Sequence, residues 1–225
     1  MDLPVIAIIP SAGTASRMGF DKLTTPLCGK SVLARTLEAF QGLPIEKTII
    51  PVTPGRENEF KSLLKDRAEV ISGGSCRARS VFNAVETLKD CENAIVVIHD
   101  CDRPFVKPDI ILETIEEAKK TGAAIAAVPC ASTVKEADPD GSIAKTIPRE
   151  KLYFASTPQT FQLKTLREAY AKLSSTTDWE TLTDEAMILE KAAFPVRLCR
   201  DSEENFKLTT KKDWDFAAYQ LSKNA

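Results

Sequence analysis

The chain has 225 residues, 43% hydrophobic and 28% charged, which excludes a disordered segment and leaves enough apolar material for one large domain, or one domain with an appendage. Its 30 basic and 32 acidic residues give a formal charge of −2, so no global field favours non-specific nucleic-acid binding, although a local basic pocket is compatible with it. No apolar run reaches the roughly 18 residues of a membrane span, and the start at Met1 to Leu3 contains an acid where a signal peptide would be basic. The six cysteines, at 28, 76, 91, 101, 130 and 199, form no C-x-x-C pair, and His99 is the single histidine. Structural zinc needs clustered Cys and His ligands, so the composition predicts reduced thiols in a cytoplasmic protein.

Val5 to Ile9 is a continuous apolar, β-branched run that ends at Pro10-Ser11-Ala12-Gly13, which predicts a strand buried on both faces. Ser31 to Phe40 places Val32, Leu33, Thr36, Leu37 and Phe40 on one helical face. A strand over Lys47 to Val52 is closed by Pro54-Gly55, and a helix follows over Glu57 to Leu64. The short strand Glu69 to Ile71 runs into Ser72-Gly73-Gly74-Ser75, and a helix over Arg79 to Leu88 turns Val81, Ala84, Val85 and Leu88 inward. Ala94 to Ile98 is the strongest strand signal, with His99 and Asp100 at its C-terminal end. Pro108 to Thr121 is an amphipathic helix and Ala123 to Val128 another apolar strand. This alternation predicts a mostly parallel sheet flanked by helices, with ligands beyond the carboxyl ends of the strands. The loops after residues 9, 71 and 98 would then share one crevice.

The pattern changes near residue 130. Thr133 to Ala137 alternates, Asp138-Pro139-Asp140-Gly141 is a turn signal and Ser142 to Ile147 returns, which predicts a β-hairpin arm with too little apolar content for a core of its own. Helices are expected over Leu166 to Leu173, Asp184 to Ala193 and Lys211 to Leu221, with a late strand over Pro195 to Cys199.

Three loops carry chemistry. Small residues in Pro10 to Gly19 let backbone N–H groups approach an anion, and Arg17 and Lys22 add positive charge beside them. The same loop reads equally as a tight turn with two solvated cations, and it matches neither the P-loop nor the dinucleotide fingerprint. Gly73 to Ser80 exposes backbone that, with Ser75 and Ser80, suits the edge of a base or a helix-capping turn. Asp100, in His99-Asp100-Cys101-Asp102-Arg103, suits a divalent cation or a substrate hydroxyl, or simply orients its loop. No Ser/His/Asp or Cys/His arrangement stands out.

Taken in order, P-S-A-G-T-A-S-R-M-G with Lys22, G-G-S-C-R-A-R-S-V, H-D-C-D-R-P-F, S-T-V-K, P-R-E-K-L-Y, T-P-Q-T-F, T-D-E-A and N-F-K-L-T resemble the 2-C-methyl-D-erythritol 4-phosphate cytidylyltransferases. The likeness runs from about residue 5 to residue 221. It implies a glycosyltransferase-A-like nucleotidyltransferase fold over residues 1–225, with the arm at about 130–155, and a homodimer formed through that arm. It further implies transfer of CMP from CTP to the polyol phosphate, with Mg²⁺ or another divalent cation, in the cytoplasm. Neither nucleic acid nor membrane is an expected partner. By position, the resemblance implies that Arg17 and Lys22 stabilise the transition state. Ser11, Ala12, Gly13, Gly74, Ser75 and Ser80 would hold the nucleotide. Asp100, Cys101, Arg103, Thr133, Arg149, Thr157 and Lys207 would hold the substrate, with Asp100 also a candidate metal ligand and Arg149 acting across the dimer.

The chain departs from the family pattern at Ala15, Leu23, Ser75, Cys101 and Asp102. Asp102 in particular adds negative charge beside a polyanion site. The competing readings are a ribitol 5-phosphate cytidylyltransferase, a sugar-1-phosphate nucleotidyltransferase using another NTP, and a non-catalytic nucleotide-binding protein.

Overall fold

The structure is a computed structural model and describes residues 3–13 and 18–223. The first part of the chain comprises β1 (Val5–Ile8), the short pair β2 (Pro26–Leu27) and β3 (Lys30–Ser31), α1 (Val32–Glu38), β4 (Lys47–Val52), α2 (Glu57–Leu64), β5 (Glu69–Ser72), α3 (Arg77–Glu86), β6 (Ile95–Ile98), α4 (Pro108–Thr121) and β7 (Ala123–Pro129). A hairpin of β8 (Val134–Ala137) and β9 (Ile143–Ile147) follows. Then come β10 (Tyr153–Gln162), α5 (Leu163–Ala171), α6 (Glu185–Lys191), β11 (Arg197–Arg200) and α7 (Lys211–Lys223).

Seven strands make one sheet in the order β11-β7-β10-β6-β1-β4-β5. All neighbouring pairs are parallel except those made by β10, which runs antiparallel between β6 and β7. The alternation of side chains explains why the central strands read as unbroken apolar runs. Ile6 and Ile8 of β1 and Val96 and Ile98 of β6 face the layer of α3, α5 and α6. Val5 and Ala7 of β1 and Ile95 and Val97 of β6 face the layer of α1, α2 and α4. Each fully buried Ile or Val contributes about 1.5–3 kcal/mol relative to exposure, so the two cores together hold β1 and β6 rigid.

Helix ends follow local chemistry. Ser31 caps α1 by accepting from the Ala34 N–H at 3.2 Å. Pro108 opens α4, and Gly122 closes it at φ +93°, a left-handed conformation that costs glycine nothing. The helix expected from Arg79 begins two residues earlier, so Arg77 is helical.

The largest difference from the sequence expectation is β10. Residues 153–162 continue from the arm into the middle of the sheet, a stretch in which the sequence pattern marks no strand. Pro158 sits where the pairing with β7 shifts register, between Ala155 and Gln159. The arm is the hairpin foreseen, and β8 and β9 are exposed over nearly their whole length. The six cysteines are all unpaired. No helix among the described residues is long and apolar enough to cross a membrane.

Candidate active site

From β1 the chain steps to β4 and β5 on one side, then returns to β6 on the other. Such a reversal opens a crevice beyond the strand ends. The register places Ile8 opposite Ile98, so the loops leaving β1 and β6 emerge side by side, and the loop after β5 joins them. They enclose a cavity of about 320 Å³ lined by Ala12, Gly13 and Lys22 from the first loop, Ser75 to Arg77 from the second and Asp100 to Asp102 from the third. A second cavity of about 270 Å³ adjoins it, lined by Arg103, Thr157, Gln159, Thr183 and Asp184. Arg77, Asp100 and Lys207 line both cavities.

Asp100 is the hub of this shared wall. Its Oδ1 accepts from Arg77 Nε at 2.8 Å, its Oδ2 accepts from Lys207 Nζ at 2.9 Å, and Arg103 Nε lies 3.6 Å from Oδ2. Burial alone would raise the Asp100 carboxyl, but Arg77, Lys207 and Arg103 together hold it well below the usual carboxylate range. Burial works the other way on Lys207, and Asp100 and Asp102 more than offset it, so its ammonium is held above the ordinary lysine value. Lys22 is anchored as firmly, donating to Asp102 Oδ2 at 2.5 Å and to the Leu208 carbonyl at 2.6 Å. The orientation of Asp102 is thereby settled: it holds Lys22. The segment carrying Lys207 is fixed by Asn205, which donates to the Thr157 carbonyl at 2.8 Å, and by the Leu208 N–H, which donates to the Asp102 carbonyl at 2.9 Å.

Beneath the hub, His99 is fully buried between Arg103 and Thr157. Its Nε2 faces the Arg103 carbonyl at 3.1 Å, which can only accept, so Nε2 carries the proton. Nδ1 is then the acceptor for the Thr157 hydroxyl at 3.0 Å, while the same oxygen accepts from the Asp100 N–H at 3.0 Å. Burial pulls the imidazole down to about 4, so it is neutral at physiological pH. His99 and Thr157 thus hold the Asp100 loop from below.

A scan against protein families matches the 2-C-methyl-D-erythritol 4-phosphate cytidylyltransferase family over residues 5–223. A protein of that description from Dehalococcoides mccartyi is 39% identical over 224 residues, covering 96% of each chain. One from Bacillus licheniformis is 38% identical, with 92% of this chain and 90% of the other covered. Among solved structures, the Francisella tularensis 2-C-methyl-D-erythritol 4-phosphate cytidylyltransferase is similar at a TM-score of 0.84 and 30% identity, covering 97% of this chain and all of that one, 100%. The 4-diphosphocytidyl-2C-methyl-D-erythritol synthase of Anaerococcus prevotii also gives a TM-score of 0.84, at 28% identity over 98% of this chain and 99% of the other. The chain belongs to the 2-C-methyl-D-erythritol 4-phosphate cytidylyltransferase family.

For a member of the cytidylyltransferase family, the residues singled out from the sequence fall into three groups. Ala12, Gly13, Lys22, Ser75, Ser80, Asp100, Cys101 and Lys207 line the first cavity, and Arg103 and Thr157 line the second. Four residues line a cavity or a loop yet have their polar atoms engaged inside the protein. Ser80 Oγ accepts from the Gly74 N–H at 3.0 Å and donates to the Cys76 carbonyl at 2.9 Å, so neither Gly74 nor Ser80 offers the free donor expected for a base edge. Gly74 is required for a steric reason instead, because a Cβ there would lie 2.4 Å from that of Arg79. The Thr157 hydroxyl is likewise committed to His99 and Asp100. Ser11 is buried, and its Oγ donates to the Ile9 carbonyl at 3.1 Å. Burial pushes the Cys101 thiol up, so it is no nucleophile.

Among the described residues, two of those singled out, Thr133 and Arg149, are not brought to the cavities. Thr133 is exposed beside the arm, and Arg149 is exposed in the turn Arg149–Lys151, where it donates to the Ala131 carbonyl. Arg17 and Ala15 lie outside the described residues. Each oxygen of Asp100 already accepts from a cation, Oδ1 from Arg77 and Oδ2 from Lys207, and among the described residues no three His, Cys, Asp or Glu side chains cluster to hold a metal. Any metal ligation by Asp100 would therefore share the carboxylate with these cations. Two charged residues at the site, Arg77 and Glu185, had no role assigned from the sequence. Arg77 Nη1 donates to both carboxylate oxygens of the fully buried Glu185, at 3.0 and 2.9 Å.

Proposed function

We propose that this protein transfers CMP from CTP to 2-C-methyl-D-erythritol 4-phosphate, giving 4-diphosphocytidyl-2-C-methyl-D-erythritol and pyrophosphate. The observation that carries the reading is the pair of adjoining cavities with Arg77, Asp100 and Lys207 in their common wall. One cavity suits the nucleotide and the other the polyol phosphate, and the reacting phosphorus sits where they meet. A phosphate oxygen of the polyol phosphate attacks the α-phosphorus of CTP. That P–O bond forms as the bond to the bridging oxygen of the β-phosphate breaks, and the electron pair leaves with pyrophosphate. The nucleophile is already an anion near neutral pH, so no general base is required. The barrier lies in bringing two polyanions together, and the protein lowers it with aligned cations.

Lys22 and Lys207 supply that charge from fixed positions, each held by a carboxylate that prevents its side chain from wandering. Arg17 is assigned beside Lys22 on sequence grounds. Ser75 and the Ala12–Gly13 backbone face the nucleotide cavity, whereas Gly74 and Ser80 shape the loop that presents Ser75. A divalent cation is part of the proposal as a companion of the triphosphate. Mg²⁺ commonly keeps its waters and takes its remaining ligands from substrate phosphates.

The homodimer through the arm belongs to the same reading. Thr133 and Arg149 stand away from their own chain's cavities, and Ile143, Tyr153 and Phe154 on the arm and its root are exposed apolar side chains. A second copy would cover them. The unpaired cysteines suit a reducing compartment such as the cytoplasm.

The deciding assay is pyrophosphate release with four NTPs crossed against methylerythritol phosphate and ribitol 5-phosphate, with and without a divalent cation. Release should need CTP, methylerythritol phosphate and the cation together. Equal turnover with UTP or ATP would overturn the base selectivity. Faster turnover with ribitol 5-phosphate would replace the substrate.

A further inference from the structure

Glu185 is a carboxylate with no solvent exposure at the start of α6. An uncompensated buried charge is costly, so a fold that keeps one has paired it. The partner is Arg77, which reaches it with Nη1 and reaches Asp100 with Nε at 2.8 Å. One guanidinium thus joins two carboxylates, and Asp100 in turn holds Lys207. The chain of contacts Glu185–Arg77–Asp100–Lys207 runs from the interior to the wall between the cavities.

The backbone on both sides of Glu185 is anchored. Its neighbour Asp184 caps α6 by accepting from the Met187 N–H at 2.9 Å and also accepts from Gln159 Nε2 at 2.9 Å. Gln159 Oε1 accepts from the Ala186 N–H at 3.1 Å. The first turn of α6 is therefore bolted to β10 on both sides of Glu185.

We propose that Glu185 is a positioning residue for the transfer reaction: it fixes Arg77 so that only one oxygen of Asp100 is taken, leaving the other to hold Lys207 towards the polyol phosphate. The inference rests on the assignment of the second cavity to that substrate. Arg77 is a planar fork and Asp100 has two oxygens, so without Glu185 the full guanidinium would turn to Asp100 and take both. Lys207 would then lose its fixed position while the protein kept the same number of site cations. A loss of alignment of this kind falls first on the polyol phosphate, because Lys22 keeps its own anchors on Asp102 Oδ2 and the Leu208 carbonyl, and Asp102 meets Lys207 only at 3.9 Å through its other oxygen.

The test is Glu185→Gln, which keeps the size and one acceptor but removes the charge. Its kcat/KM for methylerythritol phosphate should fall about tenfold or more, the usual range for losing a group that orients a site residue. The dissociation constant for CTP, measured without the second substrate, should stay within about twofold. In a Lys207→Ala background the same substitution should cost little further, because the two changes act through one path. Glu185→Gln that handles methylerythritol phosphate like the wild type, weakens CTP in step, or adds its full loss on top of Lys207→Ala would overturn the inference. Should Glu185→Gln fail to fold, Arg77→Lys breaks the same fork and must show the same split between substrates. Failure of the substrate assignment is a separate outcome, visible as wild-type protein that does not turn over methylerythritol phosphate.

Discussion

Lys22 and Asp102 are 80 residues apart in sequence, yet Nζ and Oδ2 lie 2.5 Å apart against the nucleotide cavity. A carboxylate next to a cavity proposed for a triphosphate looks unfavourable until this contact is seen. The carboxylate gives a flexible lysine a fixed address before any nucleotide arrives. It also places a negative charge near incoming phosphates.

Asp102→Asn separates those two effects. The amide keeps the shape and an acceptor for Lys22 but removes the anion. CTP should bind about three- to tenfold more tightly, as expected for removing one like charge several ångströms away in a solvated cavity. Titration calorimetry with CTP alone measures this. Weaker binding would mean that alignment of Lys22 outweighs the repulsion.

Lys22→Ala should lower kcat by about 10²–10³-fold, the range for losing one preorganised transition-state donor. Thermal melting should show that the fold persists. If kcat held and only the KM for CTP rose, Lys22 would be binding ground state and transition state alike.

His99 sets a stability change with pH. The unfolded chain takes up a proton at this residue below about 6.5, whereas the buried imidazole resists until about 4. Stability is therefore complete above about 6.5 and falls as the pH drops through that window, by about 2 kcal/mol between pH 7.5 and 5. Urea denaturation at the two pH values should show this loss in the wild type and a loss smaller by that amount in His99→Gln. Parallel losses in both proteins would remove His99 as the cause.

The proposed homodimer puts Arg149 in the partner's site. Mixing Lys22→Ala chains with Arg149→Ala chains tests this, because each heterodimer would hold one site with both residues intact and one with neither. Random re-pairing makes half the dimers mixed, so about a quarter of wild-type activity should return. A mixture shown to exchange subunits but still as inactive as its parents would place Arg149 in its own chain's service.

The parallel core was legible because β1, β4, β6 and β7 are buried on both faces and read as apolar runs. β10 was not, although it is just as central. Its buried residues include Ser156, Thr157, Gln159 and Thr160, which satisfy themselves by hydrogen bonds to Asp201, His99, Asp184 and Thr114. A polar strand interrupted by Pro158 carries no apolar period to read. At the site, Lys22 and Asp100 stood out as charged residues in loops after strands, whereas Lys207 was marked only by the family resemblance. Arg77 and Glu185 are 108 residues apart and one is wholly buried, so only the fold reveals them as a pair. Gly74 and Ser80 were read as open to a ligand because a sequence does not show that they bond to each other.

The strand β10 begins at the root of the arm, passes Thr157 and Gln159 at the second cavity, and ends in the centre of the sheet. Residues 153–162 therefore work as one beam about 30 Å long, which joins the exposed arm to the sheet and carries its register shift between Ala155 and Gln159. An added residue at Tyr153 or Phe154 would shift this beam by one register step and turn Thr157 away from His99. The turn at Asp138–Gly141 carries no such load, since its backbone closes on itself through Asp138 and Ser142. Changes in arm length, or a fused tag, are accommodated at that tip, so the outline of the arm is free to vary while its root is held in register by the chemistry of the cavity.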